Sequence, residues 1–205
     1  MVDALKPDTP APLGRTRAKA QRREALLAAA AQLFAERGFN GVSMEDLGSA
    51  VGMSGPAVYR HFEGKHAVLA ALLIGVSEEL LEGGEAVAQR ASNGELALRA
   101  LVEFHVRFAL GHPEVIRVHD RDLGSLTGDD RRSVRALQRR YVEIWVEALG
   151  RVHRGADPES LRVRAHATFG LLNSTPYGAR QMSETMTRES ARALLERMAL
   201  AALTA

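Results

Sequence analysis

Residues 43–65 read Ser43-Met44-Glu45-Asp46-Leu47-Gly48-Ser49-Ala50-Val51-Gly52-Met53-Ser54-Gly55-Pro56-Ala57-Val58-Tyr59-Arg60-His61-Phe62-Glu63-Gly64-Lys65. Two short helices are encoded in this run. Ser43 opens the first: its hydroxyl can accept from the amide three residues on, and Asp46 can reach back, a Ser-x-x-Asp capping pattern. Gly52 ends that helix after two turns. Ser54 opens the second, with Pro56 in the first turn, where a missing amide costs little; it should continue to about His61. Met44, Leu47, Val51, Met53 and Val58 supply the apolar contacts between the two. This is the pattern of a helix-turn-helix, in which one helix braces and the next enters the major groove of DNA.

Upstream, Leu26, Ala30, Leu33 and Phe34 fall on one stripe of a helix expected from about Ala18 to Arg37, with Gly38 as its left-handed cap. Downstream, a fourth helix is expected from Lys65 to about Leu81, broken by Gly83 and Gly84. Further helices are expected over about 85–91, 95–110, 114–122, 129–153, 158–173 and 188–203. Asn173-Ser174-Thr175-Pro176 should interrupt the chain after the penultimate one. Ala, Leu, Arg and Glu recur throughout and period-two alternation is scarce, so the fold class is all-α.

The 205 residues carry a net charge of +2 and no cysteine. The lack of cysteine removes disulfides, zinc–thiolate sites and cysteine nucleophiles, and fits a reducing cytoplasm. No apolar run is long enough to span a bilayer, so no membrane partner is expected. Residues 1–14, with Pro7, Pro10 and Pro12, read as a disordered tail of charge −1. Residues 15–66 carry +3, and the remainder balances at zero. The excess therefore sits with the helix-turn-helix, where Arg15, Arg17, Lys19, Arg22 and Arg23 precede or open the first helix and could follow phosphates or reach into a minor groove.

No Gly-x-Ser-x-Gly elbow, Gly-x-Gly-x-x-Gly loop or Walker loop is present, so neither an enzyme nor a bound cofactor is expected. His105, His112 and His119 are seven apart, but Gly111 and Pro113 break the helix between them; metal sensing is a minor alternative.

From Arg22 to Phe39, then Ser43 to Leu47 and Val51 to Lys65, the chain resembles the DNA-binding domain of the TetR family. The Tyr59-x-His61-Phe62-x-x-Lys65 ending is its most specific part. Gly48 stands where the family usually has alanine, which should loosen the second helix slightly. The resemblance implies three domains of sequence: a tail (1–14), a three-helix DNA-binding domain (15–64) and a larger helical bundle for ligand binding and dimerisation (65–205). It places Gly55, Pro56 and Ala57 near base edges, and Tyr59, His61 and Lys65 on phosphates. Ser43, Ser54, Arg60, Arg17 and Lys19 complete the expected contact set. None of the base-facing three can make a bidentate hydrogen bond, so reading should rest on thymine methyl groups and DNA shape.

The resemblance also implies a homodimer on a near-palindromic duplex operator, acting as a repressor, with an activator as the alternative. Helices 158–173 and 188–203 would pair with their copies; the last one carries Ala191, Ala193, Ala199, Ala201 and Ala202 among Leu194, Leu195, Met198 and Leu203. Large apolar side chains gather in the middle helices, the usual form of a small-molecule site: Phe104, Phe108, Val115, Ile116, Tyr141, Trp145, Phe169 and Leu172. His105, His119, Asn173 and Thr175 are the polar candidates. The stretch from Phe169 to Pro176 is similar to relatives that respond to lipid-derived acyl groups, implying a hydrophobic effector of that kind.

Overall fold

The computed structural model describes residues 12–174 and 187–205, with side chains from residue 16 onward. The side chain of Arg15, and Thr175, Pro176 and Tyr177, lie outside the described residues. Every element within them is helical: α1 Pro12–Arg37, α2 Met44–Ala50, α3 Gly55–Val58, α4 Lys65–Gln89, α5 Gly94–Gly111, α6 Pro113–Asp122, a 3-10 turn Leu123–Ser125, α7 Gly128–Val152, α8 Pro158–Asn173 and α9 Arg188–Thr204.

Local chemistry explains most boundaries. Ser43 and Asp46 form the full capping box: Asp46 N–H donates to Ser43 Oγ at 3.1 Å and Ser43 N–H donates to Asp46 Oδ2 at 2.8 Å. Asn93, Thr127, Asp157 and Thr187 cap α5, α7, α8 and α9 in the same side-chain-to-amide manner. Gly38 and Gly52 take φ of +79° and +67°, the left-handed region that favours glycine.

Several expectations need correction. Helix α1 begins at Pro12, not near Ala18, and so enters the stretch expected to be a tail. Proline is tolerated in a first turn, and the Arg, Ala and Lys that follow favour helix. The α-helical part of α3 ends at Val58, and the chain reaches His61 through tighter turns (Arg60 N–H to Ala57 O, His61 N–H to Val58 O).

Finally, Gly83 and Gly84 do not break α4, which runs on through the separate helix expected at 85–91. A Cβ at Gly83 would overlap the Phe104 ring, and one at Gly84 the Tyr141 ring. The glycines are there so that α5 and α7 can approach closely, and the packing outweighs their low helix propensity.

Gly48 has a similar role: a Cβ there would lie 2.7 Å from the Met53 carbonyl and 2.9 Å from Val58. It therefore brings α2 and α3 closer together, whereas the sequence suggested a slight loosening.

Two apolar clusters hold the molecule together. The first unites Leu26, Ala30 and Phe34 of α1 with Leu47, Val58 and Phe62, with Val68, Leu69 and Leu73 of α4, and with Val115 and Val118 of α6. The second packs Leu98, Leu101 and Val102 of α5 against Trp145 and Leu149 of α7, Ala165 and Leu172 of α8, and Ala199 and Leu203 of α9. Helix α4 also reaches the second cluster through Leu81, and α6 packs on α1 as well as on α5, so both helices touch the N-terminal head and the larger bundle.

Candidate functional site

Helix α3 stands at the surface of the head because only one of its side chains goes inward. Val58 is fully buried, whereas Ser54, Pro56, Tyr59 and Arg60 are exposed and Gly55 and Ala57 half-buried. Tyr59 is 53% exposed, a large apolar ring left uncovered. Ser54 is at the N-cap, but its hydroxyl makes no capping bond, in contrast to Ser43, whose hydroxyl is committed to Asp46.

Positive charge gathers at the C-terminal end of α3. The His61 imidazole is held below its ordinary pKa by burial first, then by Lys19, Arg22 and Arg23 of α1. Its Nδ1 is buried without a hydrogen-bond partner. The Arg23 guanidinium lies 5.0 Å from the centre of the Phe62 ring, and Lys65 Nζ lies 4.5 Å from that of Phe39. Lys65 therefore has an aromatic partner within the fold. Arg17 is exposed on the first turns of α1.

A second feature is a cavity of about 90 Å³ between α4, α5, α6, α7 and α8. Of the residues singled out from sequence, His105, Phe108, Val115, Ile116, His119, Tyr141 and Asn173 line it. Phe104, Trp145, Phe169 and Leu172 do not. Trp145 and Leu172 are fully buried, and Trp145 and Phe169 form a ring cluster behind His105 and Tyr141 (centroids 4.9–6.2 Å apart). Leu73, Val76, Ser77 and Leu80 of α4, with Asp120 and Gln138, complete the wall and were missed. The i, i+3/i+4, i+7 spacing of those α4 residues was the available signal.

A polar chain crosses the cavity's inner wall. His105 Nδ1 is 3.2 Å from the Tyr141 hydroxyl and Nε2 is 3.1 Å from Asn173 Oδ1. Burial lowers the His105 pKa to about 4, partly opposed by Asn173, and pushes the Tyr141 phenol up, so both are neutral near pH 7. A larger groove of about 520 Å³ between α4, α5 and α7 is lined by Glu85, Glu147 and Arg151 and lacks aromatic walls. Among the described residues no group of three or more His, Asp or Glu is placed to hold a metal ion, and no helix is long and apolar enough to cross a membrane.

Residues 26–72 match the family model described as bacterial regulatory proteins, tetR family, and residues 93–177 match the tetracyclin repressor-like C-terminal domain. The chain belongs to the TetR/AcrR family. This TetR-family transcriptional regulator is 25% identical over 174 residues to the HTH-type transcriptional repressor KstR2 of Rhodococcus jostii (strain RHA1), spanning 83% of this chain and 84% of that protein.

Its fold is shared with a TetR-family regulator from Bordetella parapertussis 12822 (TM-score 0.77, 24% identity, covering 88% of this chain and 93% of that one). It is also shared with AibR, solved in complex with isovaleryl coenzyme A and operator DNA (TM-score 0.72, 23% identity, 89% and 98% covered).

Proposed function

We propose that this regulator is a repressor that binds a near-palindromic operator as a dimer and leaves it when a small hydrophobic effector enters the cavity between α4 and α8. The observation that carries the reading is the position of α4 and α6. Each lines the cavity and also joins the apolar cluster that includes α1, with Leu73 and Val115 belonging to both, so occupancy of the cavity bears directly on the seat of the head. A ligand acts this way only by binding the released form more tightly than the DNA-bound form.

In this reading residues 15–64 are the DNA-binding domain and 65–205 the sensing and dimerisation domain. Gly55, Pro56 and Ala57 face base edges. Tyr59, Arg60, His61 and the basic start of α1 face phosphates, which set register rather than sequence. Two heads would occupy successive major grooves about 34–36 Å apart. Val163 of α8 and Leu194 and Met198 of α9, apolar side chains left exposed, support pairing with a second copy. KstR2 is named a repressor, which supports repression, and AibR was solved with an acyl thioester and operator DNA, which supports an acyl-like or other lipid-derived effector. A regulator of this kind works in the cytoplasm, beside the chromosome.

The test is fluorescence anisotropy with duplexes taken from around the gene, across a salt series. Wild type should bind one of them, and Tyr59→Ala or Arg22→Ala should weaken binding and flatten the dependence on salt. Unchanged affinity in both variants would refute the proposed face.

A further inference from the structure

We infer that Glu45, on the first turn of α2, reads a cytosine in each operator half-site. This rests on the proposal that the start of α3 lies along base edges.

Gly55, Pro56 and Ala57 bring no side chain that can donate or accept a hydrogen bond. What reaches this turn comes from α2. The Cγ and Oε1 atoms of Glu45 each lie 3.9 Å from the point where a Cβ on Gly55 would stand. The carboxylate is thus laid against the first turn of α3, and any side chain beyond a methyl at position 55 would have to share its space.

Glu45 is uncommitted within the fold. The neighbouring Asp46 is bonded to Ser43 and lies 3.8 Å from Arg37, and Met44 is buried. Glu45 is exposed, and among the described residues it has neither a hydrogen bond nor an ion pair. A carboxylate suits the first turn of a helix, but that alone does not account for one reaching across to α3.

Its charge decides what it can meet. Phosphate repels a carboxylate, so contact is favourable only where DNA presents donors. In the major groove these are the amino groups, cytosine N4 and adenine N6; guanine O6 and N7 and thymine O4 only accept. Adenine sets its N7 acceptor beside N6, whereas cytosine offers its amino group without one. Cytosine is therefore the better partner.

The experiment exposes the full-length protein to a library of randomised duplexes and sequences those retained. Wild type should retain a motif with a cytosine at one position of each half-site. Glu45→Ala should lower that preference at least about fivefold and leave the other positions as they are. Glu45→Gln should move the same position towards adenine, because an amide accepts from N6 while donating to N7. Pro56→Gln, at an exposed position of α3, should alter the motif elsewhere.

A motif that both Glu45 variants leave unaltered, or weaken evenly at every position, would overturn the role of Glu45 and leave α3 on the bases. A changed position that is not a C·G pair in the wild-type motif would do the same. If wild type retains no motif, or Pro56→Gln leaves it intact, the placement of α3 itself falls.

Discussion

The guanidinium of Arg121 donates to the main-chain carbonyl of Phe34, joining the end of α6 to the last turns of α1. That carbonyl already accepts from Gly38 at 2.8 Å, so Arg121 takes its second lone pair. Asp122, buried, holds the guanidinium from behind, with Nε 3.1 Å from Oδ1 and Nη2 3.0 Å from Oδ2. A cation is well placed here because helix C-termini carry partial negative charge.

Arg121→Met keeps the aliphatic stem but leaves the buried Asp122 carboxylate without its cation. Urea unfolding should show a loss of about 1–3 kcal/mol, and adding Asp122→Asn should restore part of it. A stability equal to wild type would mean the bridge contributes nothing.

The capping box predicts a non-additive pair. Ser43→Ala should cost about 1 kcal/mol, Asp46→Ala a similar amount, and the double variant well under the combined loss, because each side chain serves the other. Full additivity in denaturant titrations would show that the two act independently.

Glycines of α4 should respond in opposite directions. Gly84→Ala drives a methyl into the Tyr141 ring and should destabilise by about 1–3 kcal/mol. Gly75 has nothing within 4 Å of its would-be Cβ, so Gly75→Ala should stabilise by about 0.5–1 kcal/mol through helix propensity alone. Calorimetric melting of the two variants provides the comparison.

His105 sets an acid limit. Its folded pKa, about 4, lies below the unfolded value near 6.5. As pH falls below about 6.5, the unfolded chain takes up a proton that the native state refuses until about pH 4. Stability should fall across that window by on the order of 3 kcal/mol and then level off. His105→Gln should flatten the slope between pH 6.5 and 4. An unaltered slope in urea midpoints would assign the acid sensitivity to other groups.

What the sequence disclosed was whatever its neighbours in the chain decide. Ser43 with Asp46, Gly38 and Gly52 act within a few residues, and all three show their expected geometry. The all-helical class and the helices at 94–111, 113–122, 128–152, 158–173 and 188–204 were legible for the same reason. Gly83 and Gly84 were not, because their partners, Phe104 and Tyr141, lie 20 or more residues downstream; in isolation a glycine pair reads as a break. The cavity was half legible. Aromatic content located the right helices, but which side of α7 and α8 meets empty space and which meets Trp145 depends on how the helices rotate against one another. The α4 wall was overlooked because Leu73, Val76 and Leu80 look like ordinary core.

Helix α4 has a mechanical consequence. Its 25 residues span about 37 Å, and the glycine pair at which such a helix might have bent is gripped by two rings. A rod of that length stays stiff, so a tilt of about 5° set at the bundle end sweeps the opposite tip through about 3 Å. A displacement of that size is comparable to the length of a hydrogen bond and would be enough to take a helix out of register with a groove.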